Sequence, residues 1–169
     1  MFGVSSRLVK HNLLIAGLFT LVCVVSAAAH ERLISPDKRF ETYTVPGTPD
    51  GSGAKLFLRA TGDSKPGVLL CENDRWIEAQ WSPDSRFLAV IDHSDGHIAD
   101  VSIYHVVPAA APPGVTRSLR YQSPEPRTYD TKWDVVAWDS KHATATLLRS
   151  TLKDKRRFTA KLDKETKQQ

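Results

Sequence analysis

The chain has 169 residues, 41% of them hydrophobic and 25% charged, with a formal net charge of +4 at neutral pH. Two cysteines, one of them Cys23 inside an apolar N-terminal run, exclude a fold stapled by several disulfides. Arg7 and Lys10 belong to that same N-terminal segment, so the rest of the chain is close to neutral and is not built as a polycation.

The first 29 residues read as a targeting segment. Arg7 and Lys10 form a basic start, Leu13 to Ala29 is free of charge, and Ala27-Ala28-Ala29 supplies the small residues a signal peptidase accepts before His30. The run is short for a membrane span, which needs about 20 apolar residues. An uncleaved anchor is the alternative. A lipoprotein site at Cys23 is disfavoured by the branched Val22 before it. The expected location is periplasmic or secreted, with no transmembrane segment after cleavage. Residues 30–162 are then long enough for one domain with its own core, and 163–169 form a polar tail expected to be disordered.

Beyond the leader, short runs of β-branched and aromatic residues alternate with Pro, Gly, Asp and Ser, which predicts an all-β domain. Residues 39–45 form a strand with Phe40, Thr42 and Thr44 on one face. A Gly- and Pro-rich loop covers 46–53. Residues 55–60 place Leu56 and Leu58 together, and 61–67 turn. The strand 68–71 ends in Cys71, read as a small buried hydrophobe. Residues 76–81 and 86–91 form a hairpin; Phe87-Leu88-Ala89-Val90-Ile91 is continuously apolar, so this strand is expected to be covered on both faces. Residues 92–97 read as a polar loop, 98–107 as an alternating strand, 108–114 as a linker and 115–121 as a further strand. In the last third, Trp133, Val135 and Ala137 are expected on one face, followed by strands at 143–148 and 157–162.

A turn recurs along this pattern. Ser35-Pro36-Asp37-Lys38-Arg39-Phe40 returns as Ser82-Pro83-Asp84-Ser85-Arg86-Phe87, and an eroded copy follows Trp138 at Asp139-Ser140-Lys141-His142. Pro presets φ at the first turn position and Asp bonds the local backbone. Trp81-Ser82-Pro83-Asp84-Ser85-Arg86-Phe87-Leu88-Ala89-Val90 resembles the repeat core of the TolB-type, WD-repeat-like β-propellers of bacteria, and Ser35 to Phe40 resembles a second copy. The family pattern has Gly where Lys38 and Ser85 stand. The resemblance implies antiparallel blade-like sheets, in a short propeller-like stack or a sandwich, with the turn as the hairpin between the first two strands of each blade. It implies an interaction or enzyme-accessory module, and the turn itself carries no catalysis. Three units are fewer than the ~4 blades of the smallest closed propellers, so the set is open or closes in an oligomer.

Two polar segments are candidate sites. Asp92-His93-Ser94-Asp95-Gly96-His97 offers Asp92, His93, Asp95 and His97 as ligands for a divalent metal, although Ser-Asp-Gly is also plain turn chemistry. Asn73-Asp74-Arg75-Trp76 offers Asp74, Arg75 and Trp76 as a recognition patch, since Trp and Arg dominate binding hot spots. Trp76 and Trp133 stand five residues before Trp81 and Trp138, a spacing that favours packing for all four. There is no Gly-x-Ser-x-Gly, His-Glu-x-x-His, Cys-x-x-Cys or phosphate-loop motif, and no specific nucleic-acid motif. From Arg149 onward eight basic residues meet three acidic ones, a surplus suited to anionic surfaces.

The expected function is therefore an exported binding module for a protein or a cell-envelope polymer, with no evident catalytic motif and no cofactor. The alternatives are a small metal-dependent hydrolase using the 92–97 loop, and a structural envelope protein held by its basic tail. N-terminal sequencing of protein from cell fractions is expected to find a chain starting at or near His30 outside the cytoplasm; intact Met1 on a soluble cytoplasmic species would refute the leader.

Overall fold

The run Phe87 to Ile91 decides the architecture. Its alternate side chains point to opposite faces of a strand, and both sets are buried: Phe87, Ala89 and Ile91 in one core, Leu88 and Val90 in another. The computed structural model describes residues 32–48, 53–110, 114–124 and 130–164. The predicted leader, residues 49–52 of the first loop, 111–113 of the linker and 165–169 of the tail lie outside them.

The described residues are all β, without helix. The first sheet runs in order through β1 (Arg32–Ile34), β2 (Phe40–Pro46), β3 (Ala54–Ala60) and β4 (Val68–Asn73). A second meander follows in β5 (Trp76–Trp81), β6 (Phe87–Asp95), β7 (Ile98–Pro108) and β8 (Val115–Gln122). A third follows in β9 (Lys132–Asp139), β10 (Thr144–Ser150) and β11 (Lys155–Lys161). Within each unit every neighbour pairs antiparallel. The second and third units are also joined, because β7 and β9 meet in parallel at the single pair Ala99 and Lys132, and no sheet closes on itself.

The middle unit is the filling between the other two. Phe40, Leu56 and Leu58 of the first sheet pack on Ile77, Trp81, Leu88, Val90 and Val106. Trp133, Val135, Ala145, Leu147, Ala160 and Leu162 close on the opposite face, against Phe87, Ala89, Ile91, Ala99, Val101 and Ile103. Phe40 and Trp81 stack at 5.9 Å between ring centroids, which ties the first turn to the second across sheets.

The repeated turns explain their own sequence. In the first, Ser35 Oγ donates to Asp37 Oδ1 (2.8 Å), the amide of Phe40 donates to Ser35 Oγ (3.0 Å) and the amide of Arg39 donates to Asp37 Oδ1 (3.0 Å). In the second, Ser82 Oγ donates to Asp84 Oδ1 (2.7 Å), Phe87 N to Ser82 Oγ (2.9 Å) and Arg86 N to Asp84 Oδ1 (3.2 Å). Lys38 and Ser85, where the resembled pattern has Gly, are left-handed at φ 63° and 61°. The third turn keeps the device in altered form: Asp139 accepts from the His142 amide (3.1 Å), and the left-handed residue is Ala143. The turns stand side by side. The amide of Asp37 donates to Ser85 Oγ (2.9 Å) and Arg86 Nη2 donates to the Ser140 carbonyl (2.6 Å).

Several expectations are corrected. Residues 92–95 are strand, because β6 continues to Asp95 and only Gly96 and His97 turn. Ala137 does not share a face with Val135: Val135 pairs with Leu147 and Ala137 with Thr146, so Val136 bulges, the alternation flips, and Trp138 packs on the core instead. Trp76 is 44% exposed and is no core residue. The three-residue edge strand β1 is an addition, too short to carry a pattern.

Burial pushes the Asp84 carboxyl up, but hydrogen bonds from Ser82 and Arg86 outweigh it and leave the group below its usual value; Asp37 is lowered by the matching bonds from Arg39 and Ser35. A folded value below the unfolded one gives stability that is present above about pH 4 and lost as pH falls through the lower, folded value. Asp84→Ala is expected to destabilise by about 0.5–2 kcal/mol, by analogy with lost helix caps. Urea titrations at neutral and acid pH check this: the deficit is present at neutral pH and shrinks as acid protonates Asp84 in the parent.

Candidate functional site

The register of the second hairpin builds the site. Its turn sets Trp81 opposite Leu88, and five steps up the ladder Trp76 falls opposite His93 and Ile77 opposite Asp92. The two segments singled out in the sequence thereby become one surface. The exposed Trp76 indole stacks on the His93 imidazole at 4.5 Å between centroids, with 16° between the planes. His93 Nε2 lies 3.1 Å from Glu78 Oε1, two residues along the same strand face as Trp76.

Asn73 fixes the base of this surface. Its Nδ2 donates to the Trp76 carbonyl (2.9 Å) and to Asp92 Oδ1 (2.7 Å), and its Oδ1 accepts from the Arg75 amide (3.0 Å). One side chain thus shapes the β4–β5 turn and moors it to β6. Gly53 makes the approach possible: its φ is +67°, and a Cβ there would stand 2.5 Å from the Asn73 carbonyl oxygen. Asp74 and Arg75 are exposed in the turn. Arg75 reaches over the β6–β7 turn, where a Cβ on Gly96 would lie 3.0 Å from its Nη1.

Behind the platform, Cys71 is half-buried and its Sγ donates to Asp92 Oδ2 at 3.6 Å, so it joins a polar contact between sheets and is more than a small hydrophobe. Asp100 stands directly opposite Asp92 across β6 and β7, with its Oδ1 accepting from Ser123 Oγ (3.0 Å). Burial, and then the neighbouring Cys71, push the Tyr104 hydroxyl above its usual value. No family model, curated protein or solved structure matches the chain. Functional inference therefore rests on this geometry.

Asp92, His93 and His97 have different partners. Asp92 turns to Asn73 and Cys71, His93 to Trp76 and Glu78, and His97 Nδ1 to Asp130 Oδ1 at 2.9 Å. Asp92 and His93 are successive strand residues and so face opposite ways. Among the described residues, no three His, Cys, Asp or Glu side chains are grouped to hold an ion. Asp95 closes the β6–β7 hairpin opposite Ile98. Sequence reasoning passed over Glu78, Asn73 as anchor, Asp100 and Asp130. Extending the turn's register would have found the Trp76–His93 pair, and alternation along β5 would then have added Glu78. Nothing in the sequence marks Asp130.

A concavity among the described residues lies between Leu33, Thr42, Thr44 and Leu56 of the first sheet and Ile77 and Ala79 of β5. An exposed indole stacked on an imidazole, with the Glu78 carboxylate close by, can stack and pair with a partner. Thermal unfolding with zinc, manganese and calcium is expected to show no saturable shift that a His93→Ala/His97→Ala double mutant abolishes. A shift of that kind would move the assignment to the metal-dependent hydrolase.

Proposed function

We propose that the chain is an exported binding module of blade-like repeats that engages a protein partner through the Trp76 surface. The observation that carries this reading is the exposed indole of Trp76, held flat on His93, with the preceding Arg75 reaching over the neighbouring β6–β7 turn. Large apolar groups are left exposed at a cost, and Trp and Arg are the residues that repay it in a complex. Glu78, 59% exposed on its side chain, and Asp74 give the rim a mixed charge, which favours a protein over a uniformly anionic envelope polymer.

The repeat reading draws support from the equivalence of the turns: each joins the first two strands of its unit, and each is bonded to the next. The exported location rests on the leader sequence.

Trp76→Ala and Arg75→Ala test the surface. Loss of the aromatic stack is expected to lower stability by about 1 kcal/mol, leaving the protein folded. Cross-linking in intact cells, with wild type and each variant at matched abundance, is expected to give an adduct with wild type that both variants lose. An adduct unaffected in either variant would remove this surface from the assignment.

A further inference from the structure

The outer edge of the third unit combines an open backbone ladder with an ordered row of charge. β11 ends its sheet, and among the described residues no strand pairs with its far side. The amide of Leu162 donates to the Ala143 carbonyl (2.8 Å), and the register from there to Lys155 is unbroken. Hydrogen-bonded pairs alternate along an antiparallel ladder. Ala160, Phe158 and Arg156 therefore direct their amides and carbonyls at β10, while Lys155, Arg157, Thr159 and Lys161 direct theirs away from it.

Side chains alternate with the same period. Ala160 is buried and Phe158 packs on Trp133 at 5.3 Å, so the even-numbered residues face the core. Lys155, Arg157, Thr159 and Lys161 then stand on the outer face. The residues that offer backbone groups at the open edge are the ones that carry outer-face cations. Three acidic groups near this edge, among the described residues, already have partners. Asp154 pairs with Arg156 at 2.8 Å, Asp139 with His142, and Asp134 accepts from the Val135 amide on β9, two strands in. Asp163 lies past the end of the strand.

We infer that β11 is a strand-addition site for an extended acidic peptide. An antiparallel strand added there places the residues opposite Lys155, Arg157 and Lys161 on the same face at about 5.5 Å between Cα atoms. Acidic side chains at every second position meet the cations. The positions between them lie beside the half-exposed Phe158 ring, which favours apolar residues. A second copy of β11 is refused, because its own cations would stand against these; lysine on an edge strand is a common guard against such pairing. The charge thus acts as a filter, closing the edge to this chain and opening it to a partner of opposite sign. The site is on a different unit from the Trp76 surface and does not depend on it.

The test uses a short fluorescent peptide in which Glu and Val alternate, titrated by anisotropy against the protein. Binding is expected, weakening with salt, and a peptide alternating Lys and Val is expected not to bind. N-methylation separates strand addition from plain attraction. Methyl groups on the Glu amides block the side turned to β11 and are expected to abolish binding; methyl groups on the Val amides block the far side and are expected to leave it. Arg157→Glu is expected to weaken binding at least about tenfold. Failure of the parent peptide to bind overturns the proposal, as does equal binding of the two N-methylated forms, which would mean charge alone. The methylated peptides probe wild-type protein, so the result holds even if the variant does not fold.

Discussion

Everything in this protein hangs on a sheet buried from both sides. Isolated antiparallel sheets can leave one face in water, and their strands then alternate apolar and polar residues. The middle unit cannot, because Phe87 to Ile91 presents hydrocarbon in both directions. Two further sheets are needed to cover it, and each of those needs only one apolar face. That asymmetry is visible in β10, where Ala145 and Leu147 are buried while Thr144, Thr146 and Ser150 are only partly covered. It is visible again in β3, where Leu56 and Leu58 turn in and Arg59 turns to the fully buried Glu41, which also pairs with Arg32.

The all-β class and the strand positions were legible because local chemistry states them: β-branched runs, Ser-Pro-Asp turns, a continuously apolar strand. What local chemistry does not state was missed. Residues 92–95 look like a loop by composition, yet Asp92 is satisfied by Asn73 and by its ladder, so polarity did not end the strand. Val136 bulges because of how β10 pairs with β9, and no residue in β9 announces it. Trp76 and Trp133 share a spacing but not an environment: β9 lies between β7 and β10 and Phe158 covers Trp133, whereas Trp76 begins the edge strand β5, stacks on His93 and stays 44% exposed. For the site, the residue types were readable and their union was not. Asp74, Arg75 and Trp76 came from one segment and His93 from another, and the hairpin register that merges them had to be carried five residues from its turn.

The two surfaces differ in kind. The Trp76 platform is set by an aromatic stack, by the Asn73 hydrogen bonds and by the close approach of Gly53 to Asn73. Its selectivity would come from shape and a mixed rim. The β11 edge offers backbone, and its selectivity would come from the sign and period of its charges. On the proposed reading, a module with both would hold one partner through a folded epitope and another through an extended segment.

The single Ala99–Lys132 bridge between β7 and β9 has a bearing on how the chain assembles. Each unit pairs only strands adjacent in sequence, apart from that bridge, so each can form its ladder as soon as its own residues are available. The hydrocarbon faces wait longer. Phe40, Leu56 and Leu58 have no cover until Ile77 to Val106 arrives, and the far face of that unit then waits for Trp133 to Leu162. A chain delivered from its N-terminus therefore grows as a stack, each new layer shielding the one before it, and the longest exposure falls on the middle layer, whose sequence is the most apolar of all.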